Sequence, residues 1–358
     1  MNKPVHGGGV DRAMGELGLP REAIYDFSAS INPLGPPPEV EQVLIDALQR
    51  IRDYPEIEAA SLRRELEDFH GISETRLLPG SGSTELIYLL PRVFRPRRAL
   101  LILPCFSEYA PALRQVGCHI DTVALSPEHD FYFSVEQIVN GLREDTDLVV
   151  LANPGNPTGV GIESWKLLEL ARRLGSCRLL LDEAFVDFCP EYSILEQVGK
   201  TTNLLVLRSM TKFYAIPGLR VGYLAGSDAD IAKLAAQKEP WSLSNLAIAA
   251  GVACLAVDHF REQTLARIGL LREGLKQGLE KLGMKVFPAR ANYLLCRLPQ
   301  EGPDAIELKR KLYRHGILVR SCEDFNPLDA RYLRLAVLGK EANTLLLGRL
   351  ASIFSRSC

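Results

Sequence analysis

The sequence predicts an α/β protein in two parts, a large one built on a mainly parallel sheet and a smaller α+β one. Three observations carry this. Between about residues 98 and 226, short β-branched or leucine-rich runs alternate with helix-like stretches. Those runs are continuously apolar rather than apolar at every other position, the pattern of strands covered by helices on both faces. After about residue 282 the texture changes to closely spaced short strands and helices, and a length of 358 residues allows about two domains at the usual ~150 residues each.

Taken in chain order, the first forty residues hold Pro33, Pro36, Pro37 and Pro38 and little periodicity, so they predict an arm rather than a core element. Residues 78–85 read as a glycine-serine loop leading into an apolar helix over 86–93. The predicted strands are 98–104, 147–154, 178–185, 203–209 and 220–226. Between two of them, 164–174 carries Trp165, Leu167, Leu168, Leu170, Ala171 and Leu174 at helical spacing and stops at Gly175, which predicts a crossover helix with a glycine cap. The longest apolar stretch, 246–257, has twelve residues and includes Gly251. That is short of the ~20 needed to span a bilayer, so it reads as a buried helix.

An amphipathic stretch over 257–282, ending at Gly283, predicts a helix bridging the two parts. Beyond it lie a predicted strand at 285–298, a helix at 304–315, strands at 317–321 and 332–337, and a final helix from about 341. The expected boundaries are an amino-terminal arm at 1–40 contributing to the small domain, a large domain at 41–255 and a small domain at 256–358.

The 42 basic and 44 acidic side chains leave a formal charge of −2, so nothing global attracts nucleic acid or an anionic membrane, and neither is expected as a partner. Any anion must be captured by a few placed groups. The opening residues lack the apolar core of a signal peptide, which predicts a cytoplasmic protein. Eight well-separated cysteines, with no Cys-x-x-Cys, read as reduced thiols, and no metal site is expected.

Three strand ends carry the chemistry. Asn153-Pro154-Gly155-Asn156-Pro157-Thr158-Gly159 follows one apolar run, Asp182 closes the next, and Ser209-Met210-Thr211-Lys212-Phe213 ends the third, with Arg220 soon after. Open α/β sheets place ligands at this carboxyl edge. Singly, each signal reads as blandly as a turn, a helix cap or a surface charge. Together, a hydroxyl three residues before Lys212, an arginine eight after it, Asp182 thirty before it and the Asn-Pro-Thr-Gly motif resemble the fold-type I pyridoxal-phosphate enzymes, the aspartate aminotransferase superfamily.

That resemblance implies a large domain with a seven-stranded, mainly parallel sheet, and pyridoxal 5′-phosphate as cofactor. It puts Lys212 on the cofactor's aldehyde, where the amine later moves protons at the substrate's Cα. Asp182 would keep the pyridine nitrogen protonated, because a buried carboxylate favours the neighbouring cation. Asn156 would donate to the ring's phenolic oxygen and Phe106 would stack on the ring. For the cofactor phosphate, the resemblance implies the N–H groups of Gly82, Ser83 and Thr84 at a helix start, the Ser209 hydroxyl and a clamp from Arg220. Tyr54 matches a tyrosine that reaches this phosphate from the neighbouring subunit, which implies a homodimer.

Within the superfamily the chain is most similar to the histidinol-phosphate aminotransferases and the threonine-phosphate decarboxylases. His6-Gly7-Gly8 and the run Asp26-Phe27-Ser28-Ala29-Ser30-Ile31-Asn32-Pro33-Leu34-Gly35 resemble the decarboxylases' opening motif. Phe185 stands where aminotransferases generally place a tyrosine that hydrogen-bonds the phenolic oxygen. One departure is Ser30, where the family usually has asparagine. The resemblance implies a small phosphorylated amino acid as substrate, bound by His6, Gly7, Ser30, Asn156, Arg320 and Arg334, with threonine phosphate decarboxylated to aminopropanol phosphate for the cobalamin nucleotide loop. The alternatives are amino transfer from histidinol phosphate and decarboxylation of serine phosphate, which lacks one methyl group, worth about 1–3 kcal/mol of discrimination.

Overall fold

In the computed structural model, which describes residues 7–355, the large sheet has seven strands. Their order across the sheet is Leu77–Ser81, Val221–Ala225, Leu204–Ser209, Arg178–Asp182, Leu148–Ala152, Arg98–Leu103 and His119–Ala124. Val221–Ala225 runs antiparallel to both of its neighbours and the remaining pairings are parallel. Because successive side chains leave a strand on opposite faces, the continuous apolar runs feed two cores. Val149, Leu151, Leu179, Leu181, Leu204 and Val206 face one of them. Leu148, Val150, Leu180, Leu205 and Leu207 face the other. The crossover helix is Ser164–Arg173, burying Leu167, Leu170 and Ala171, and Gly175 beyond it takes the left-handed φ of 61° that its cap position favours.

Two strands of this sheet escaped the sequence reading. His119–Ala124 is the sheet edge, with every position at least partly exposed, so it carries no continuous apolar run. Leu77–Ser81 holds Pro79 and Gly80, which read as loop residues; it is the opposite edge strand, where a proline's missing donor is tolerated. It leads straight into helix Gly82–Phe94, so the predicted glycine-serine loop does not exist as a loop.

The second part is a four-stranded antiparallel sheet in the order Arg320–Ser321, Tyr332–Ala336, Tyr293–Arg297, Lys285–Val286. Helices Asp258–Lys281, Ala305–Tyr313 and Lys340–Phe354 supply buried residues to the same core. The run predicted as one strand over 285–298 is thus two, separated at Pro288. The run at 317–321 also divides, and its first half, Ile317–Leu318, pairs in parallel with Tyr25–Asp26. The first forty residues are therefore more than an arm: they include helix Val10–Leu17, and Phe27 is fully buried in the small-sheet core. A two-residue strand is too short to show a period, which is why the sequence pattern missed it. Among the described residues no helix is long and apolar enough to cross a membrane.

Candidate active site

The carboxyl ends of the central strands converge on a cavity of about 200 Å³. Asp182 ends strand Arg178–Asp182, Asn156 lies in the turn after Leu148–Ala152, and Phe106 follows Arg98–Leu103. Lys212 sits in the single-turn helix Met210–Phe213 that follows Leu204–Ser209. Ser83 and Thr84 open helix Gly82–Phe94. All six line this one cavity.

Lys212 Nζ donates to Ser209 Oγ at 3.0 Å, and Ser209 Oγ also meets Thr211 Oγ1 at 2.8 Å. Burial lowers the lysine's pKa to about 8; Asp182 opposes that shift, and the positive charges of Arg220 and Arg334 add to it. Asp182 is pushed the other way, up, by its own burial, against the pull of a Tyr109 hydroxyl, the Ala184 N–H and Lys212. An amine with a neutral fraction near pH 7 thus faces a buried carboxylate.

Near the start of helix Gly82–Phe94, Arg220 packs directly against Gly82. Gly82 has φ 74°, and a Cβ there would stand 2.5 Å from Arg220 Nη2, so only glycine admits this approach. Among the described residues the Arg220 guanidinium makes one hydrogen bond, from Nη1 to the Pro217 carbonyl at 3.3 Å. Arg334 donates from Nη1 to Asn156 Oδ1 at 2.6 Å and from Nη2 to the Ser28 carbonyl at 2.8 Å. Its guanidinium lies 5.3 Å from the centre of the Tyr293 ring. Arg334 Nε and Ser30 Oγ are both buried without a hydrogen-bond partner.

The family model for aminotransferase class I and II matches residues 22–350. The chain belongs to this family. Over 98% of its length it is 40% identical to a threonine-phosphate decarboxylase of Salmonella typhimurium, 96% of which is covered. It is 29% identical over 99% of its length to an adenosylcobalamin biosynthesis bifunctional protein of Leptospira interrogans, and spans 41% of that longer protein. Among solved structures, the histidinol-phosphate aminotransferase of Clostridium acetobutylicum matches with a TM-score of 0.87 at 27% identity, covering 93% of this chain and 100% of that one.

For this class I and II aminotransferase-family chain, the structure gathers most of the residues the sequence singled out. Gly7 lines the cavity, packed so closely that a Cβ would collide with the Ser28 carbonyl. Phe185 lines it too, its ring 4.9 Å from that of Tyr293. Arg320, like Gly82, Ser209 and Arg220, is not among the residues lining it, and Arg320 departs furthest from its expected place. Its Cα is paired directly with that of Arg334. Its guanidinium, however, donates to Asp324 at 2.7 Å and to the Ser321 carbonyl at 2.7 Å, and it lines a different cavity. A carboxylate four residues along has captured it. Tyr54 also lies outside the cavity, 82% exposed, with its ring 5.1 Å from Trp241. His6 lies outside the described residues.

Three residues were missed. The Tyr109 hydroxyl donates to Asp182 Oδ2, and its ring meets Phe106 edge-on at 5.8 Å. The spacing of three between Phe106 and Tyr109 was visible, but nothing local pointed Tyr109 at Asp182. Tyr293 donates to the Gly155 carbonyl at 2.5 Å, pinning the turn that carries Asn156. Asn32 ties the amino-terminal segment to the lysine turn: its N–H donates to the Lys212 carbonyl at 3.0 Å, and its Nδ2 donates to the Phe213 carbonyl and to Thr264 Oγ1.

Proposed function

We propose that the chain is a pyridoxal-phosphate-dependent decarboxylase of the cytoplasm. It converts L-threonine O-3-phosphate to (R)-1-amino-2-propanol O-2-phosphate and carbon dioxide, for assembly of the cobalamin nucleotide loop. The observation that carries this is the similarity to a threonine-phosphate decarboxylase over nearly the whole of both chains, with Lys212, Asp182, Asn156 and Arg334 around one cavity.

The residues present fit the cofactor. Gly82, with no Cβ, lets the Arg220 guanidinium lie against the helix start, which suits a phosphate held by Arg220, Ser209 and the N–H groups of Gly82, Ser83 and Thr84. Asp182, a carboxylate whose burial disfavours its charge, suits a protonated ring nitrogen. Bound there, pyridoxal phosphate supplies the sink for the electron pair left at the substrate's Cα when a bond to that carbon breaks. Phe106 covers the ring face. Asn156, its Oδ1 already engaged by Arg334, has its Nδ2 left to donate to the phenolic oxygen. Phe185 offers no second donor there, which favours the decarboxylase over the transaminase reading.

The chain's own groups do the rest. Lys212, neutral in part near pH 7, holds the cofactor's aldehyde and afterwards delivers a proton to Cα. Arg334 Nε and Ser30 Oγ, two buried groups without a partner that belong to residues lining the cavity, receive the substrate's anionic end together with Gly7 and His6, and Arg320 joins once it leaves Asp324. The working unit is a homodimer in which Tyr54 reaches the partner's cofactor phosphate. Exposed Ile45, Leu48, Ile51, Ile57 and Trp241 near it in the chain or in contact with it support that reading. Residues 41–255 form the large domain, and the arm at 1–40 joins 256–358 in the small one.

The deciding experiment incubates the purified protein with pyridoxal phosphate and threonine phosphate and traps carbon dioxide. Carbon dioxide matched by aminopropanol phosphate is the expected result; glutamate from histidinol phosphate and 2-oxoglutarate, with no carbon dioxide, would make the chain an aminotransferase, the reading favoured by the Clostridium structure. Serine phosphate in the same assay measures what the methyl group is worth. Lys212→Ala should remove both turnover and the visible absorption of the bound cofactor.

A further inference from the structure

A second cavity, of about 470 Å³, lies beside the first. Ser28 lines both, so the segment around it forms part of the partition. The outer cavity is walled by helix Val10–Leu17, helix Ala305–Tyr313 and the strand residues before Arg320. Four cationic side chains, Arg12, Lys309, Arg310 and Arg320, line it against a single carboxylate, Glu16. That carboxylate is already engaged, by Arg12 Nε at 2.6 Å and by the Tyr313 hydroxyl at 2.6 Å. Arg320 is paired with Asp324. Lys309 and Arg310 have neither an ion pair nor a hydrogen bond among the described residues.

On a chain whose net charge is −2, this is a local excess of positive charge in a concave site, where field lines focus. The backbone adds to it. Gly9, also in the wall, is the N-cap of helix Val10–Leu17 and has no side chain to satisfy the first N–H groups. Beside the cations, Ile306, Leu318 and Val319 give apolar lining.

We propose that the outer cavity is a second anion site, additional to the one around Lys212 and Arg334, and that it takes a small phosphomonoester. A dianionic phosphate with three acceptor oxygens matches a lysine and two arginine forks better than a single carboxylate does. The volume exceeds that of the phosphate alone, and the apolar lining accommodates a short carbon chain. Such a site holds a phosphorylated molecule one partition away from the inner cavity, where it raises the local supply of anionic substrate. The site stands whether or not the decarboxylase reading does, because none of Arg12, Lys309 and Arg310 belongs to the inner cavity.

The test counts inorganic phosphate bound to the cofactor-loaded protein by equilibrium dialysis with labelled phosphate. Two variants separate the cavities: Arg334→Ala for the inner and Lys309→Glu with Arg310→Glu for the outer. Arg334→Ala is expected to keep about one phosphate per chain. The Lys309→Glu, Arg310→Glu protein is expected to bind that outer phosphate about tenfold or more weakly, with its visible absorption and its turnover at saturating substrate unchanged. Loss of all phosphate binding in Arg334→Ala, or unchanged binding in the lysine-arginine variant, overturns the proposal. Failure of the decarboxylase reading would show instead as absent carbon dioxide, with these counts unaltered.

Discussion

Tyr109 and Asp182 are 73 residues apart in sequence and joined by one short hydrogen bond, the tyrosine hydroxyl donating to Oδ2 at 2.5 Å. The Ala184 N–H takes Oδ1 at 2.9 Å, so each carboxylate oxygen has its own donor. Both donors stabilise the charged form of a group that burial would otherwise neutralise.

Tyr109→Phe removes one of the two. The pKa of Asp182 then rises further, so the acid side of the activity profile moves to higher pH. A charge-assisted hydrogen bond is worth about 1.5–3 kcal/mol, which corresponds to a fall in kcat of about tenfold or more with KM little changed. A pH series of kcat for the two proteins checks this; superimposable profiles would mean that Tyr109 only fills space.

Gly82→Ala puts a methyl group 2.5 Å from Arg220 Nη2, on a backbone at φ 74°. The left-handed conformation costs a non-glycine residue about 1–2 kcal/mol, and Arg220 must also move. The expected outcome is at least about tenfold weaker cofactor binding in an absorbance titration, with the circular dichroism of the folded chain retained.

The lowered pKa of Lys212 gives capture of the cofactor a definite pH dependence. Only the neutral amine attacks, so in the apoprotein the rate should climb about tenfold per pH unit below pH 8 and level off above it. An ordinary lysine would keep climbing toward pH 10. Arg334 is one of the charges holding the value down, so Arg334→Gln should move the plateau to higher pH.

Away from the site, His70 is enclosed near Arg208 and Arg261, with Nε2 2.6 Å from the Tyr223 hydroxyl. Burial first, and then those two arginines, lowers its pKa to about 3. The unfolded chain takes up a proton near pH 6.5 that the folded chain refuses, so stability falls as pH drops from about 6.5 toward 3. The slope is about 1.4 kcal/mol per pH unit. Denaturant midpoints at pH 7 and 5 should differ less in His70→Gln than in the wild type.

The strand ends were legible because each packs its chemistry into a few adjacent residues after an apolar run, as in 153–159 and 209–213. What the sequence could not show depends on distance. Asp182 is found by its strand, but Tyr109 reaches it across the sheet, and no local pattern encodes that bond. The edge strand His119–Ala124 has solvent on its surface and so lacks the apolar run that announced the central strands. Arg320 stands opposite Arg334 and shares its residue type. Its engagement with Asp324 is settled by rotamer and loop geometry, which spacing leaves open.

The hydrogen bonds of Asn32 to the Lys212 carbonyl, the Phe213 carbonyl and Thr264 also bear on timing during synthesis. At about 5–20 residues per second, a ribosome needs roughly 10 to 35 s to travel from codon 32 to codon 213. Through that interval the amino-terminal segment waits for its anchor and the lysine turn for its brace. A nascent chain halted between residues 213 and 264 should therefore have the two bonds to the lysine turn within reach and lack only the one to Thr264.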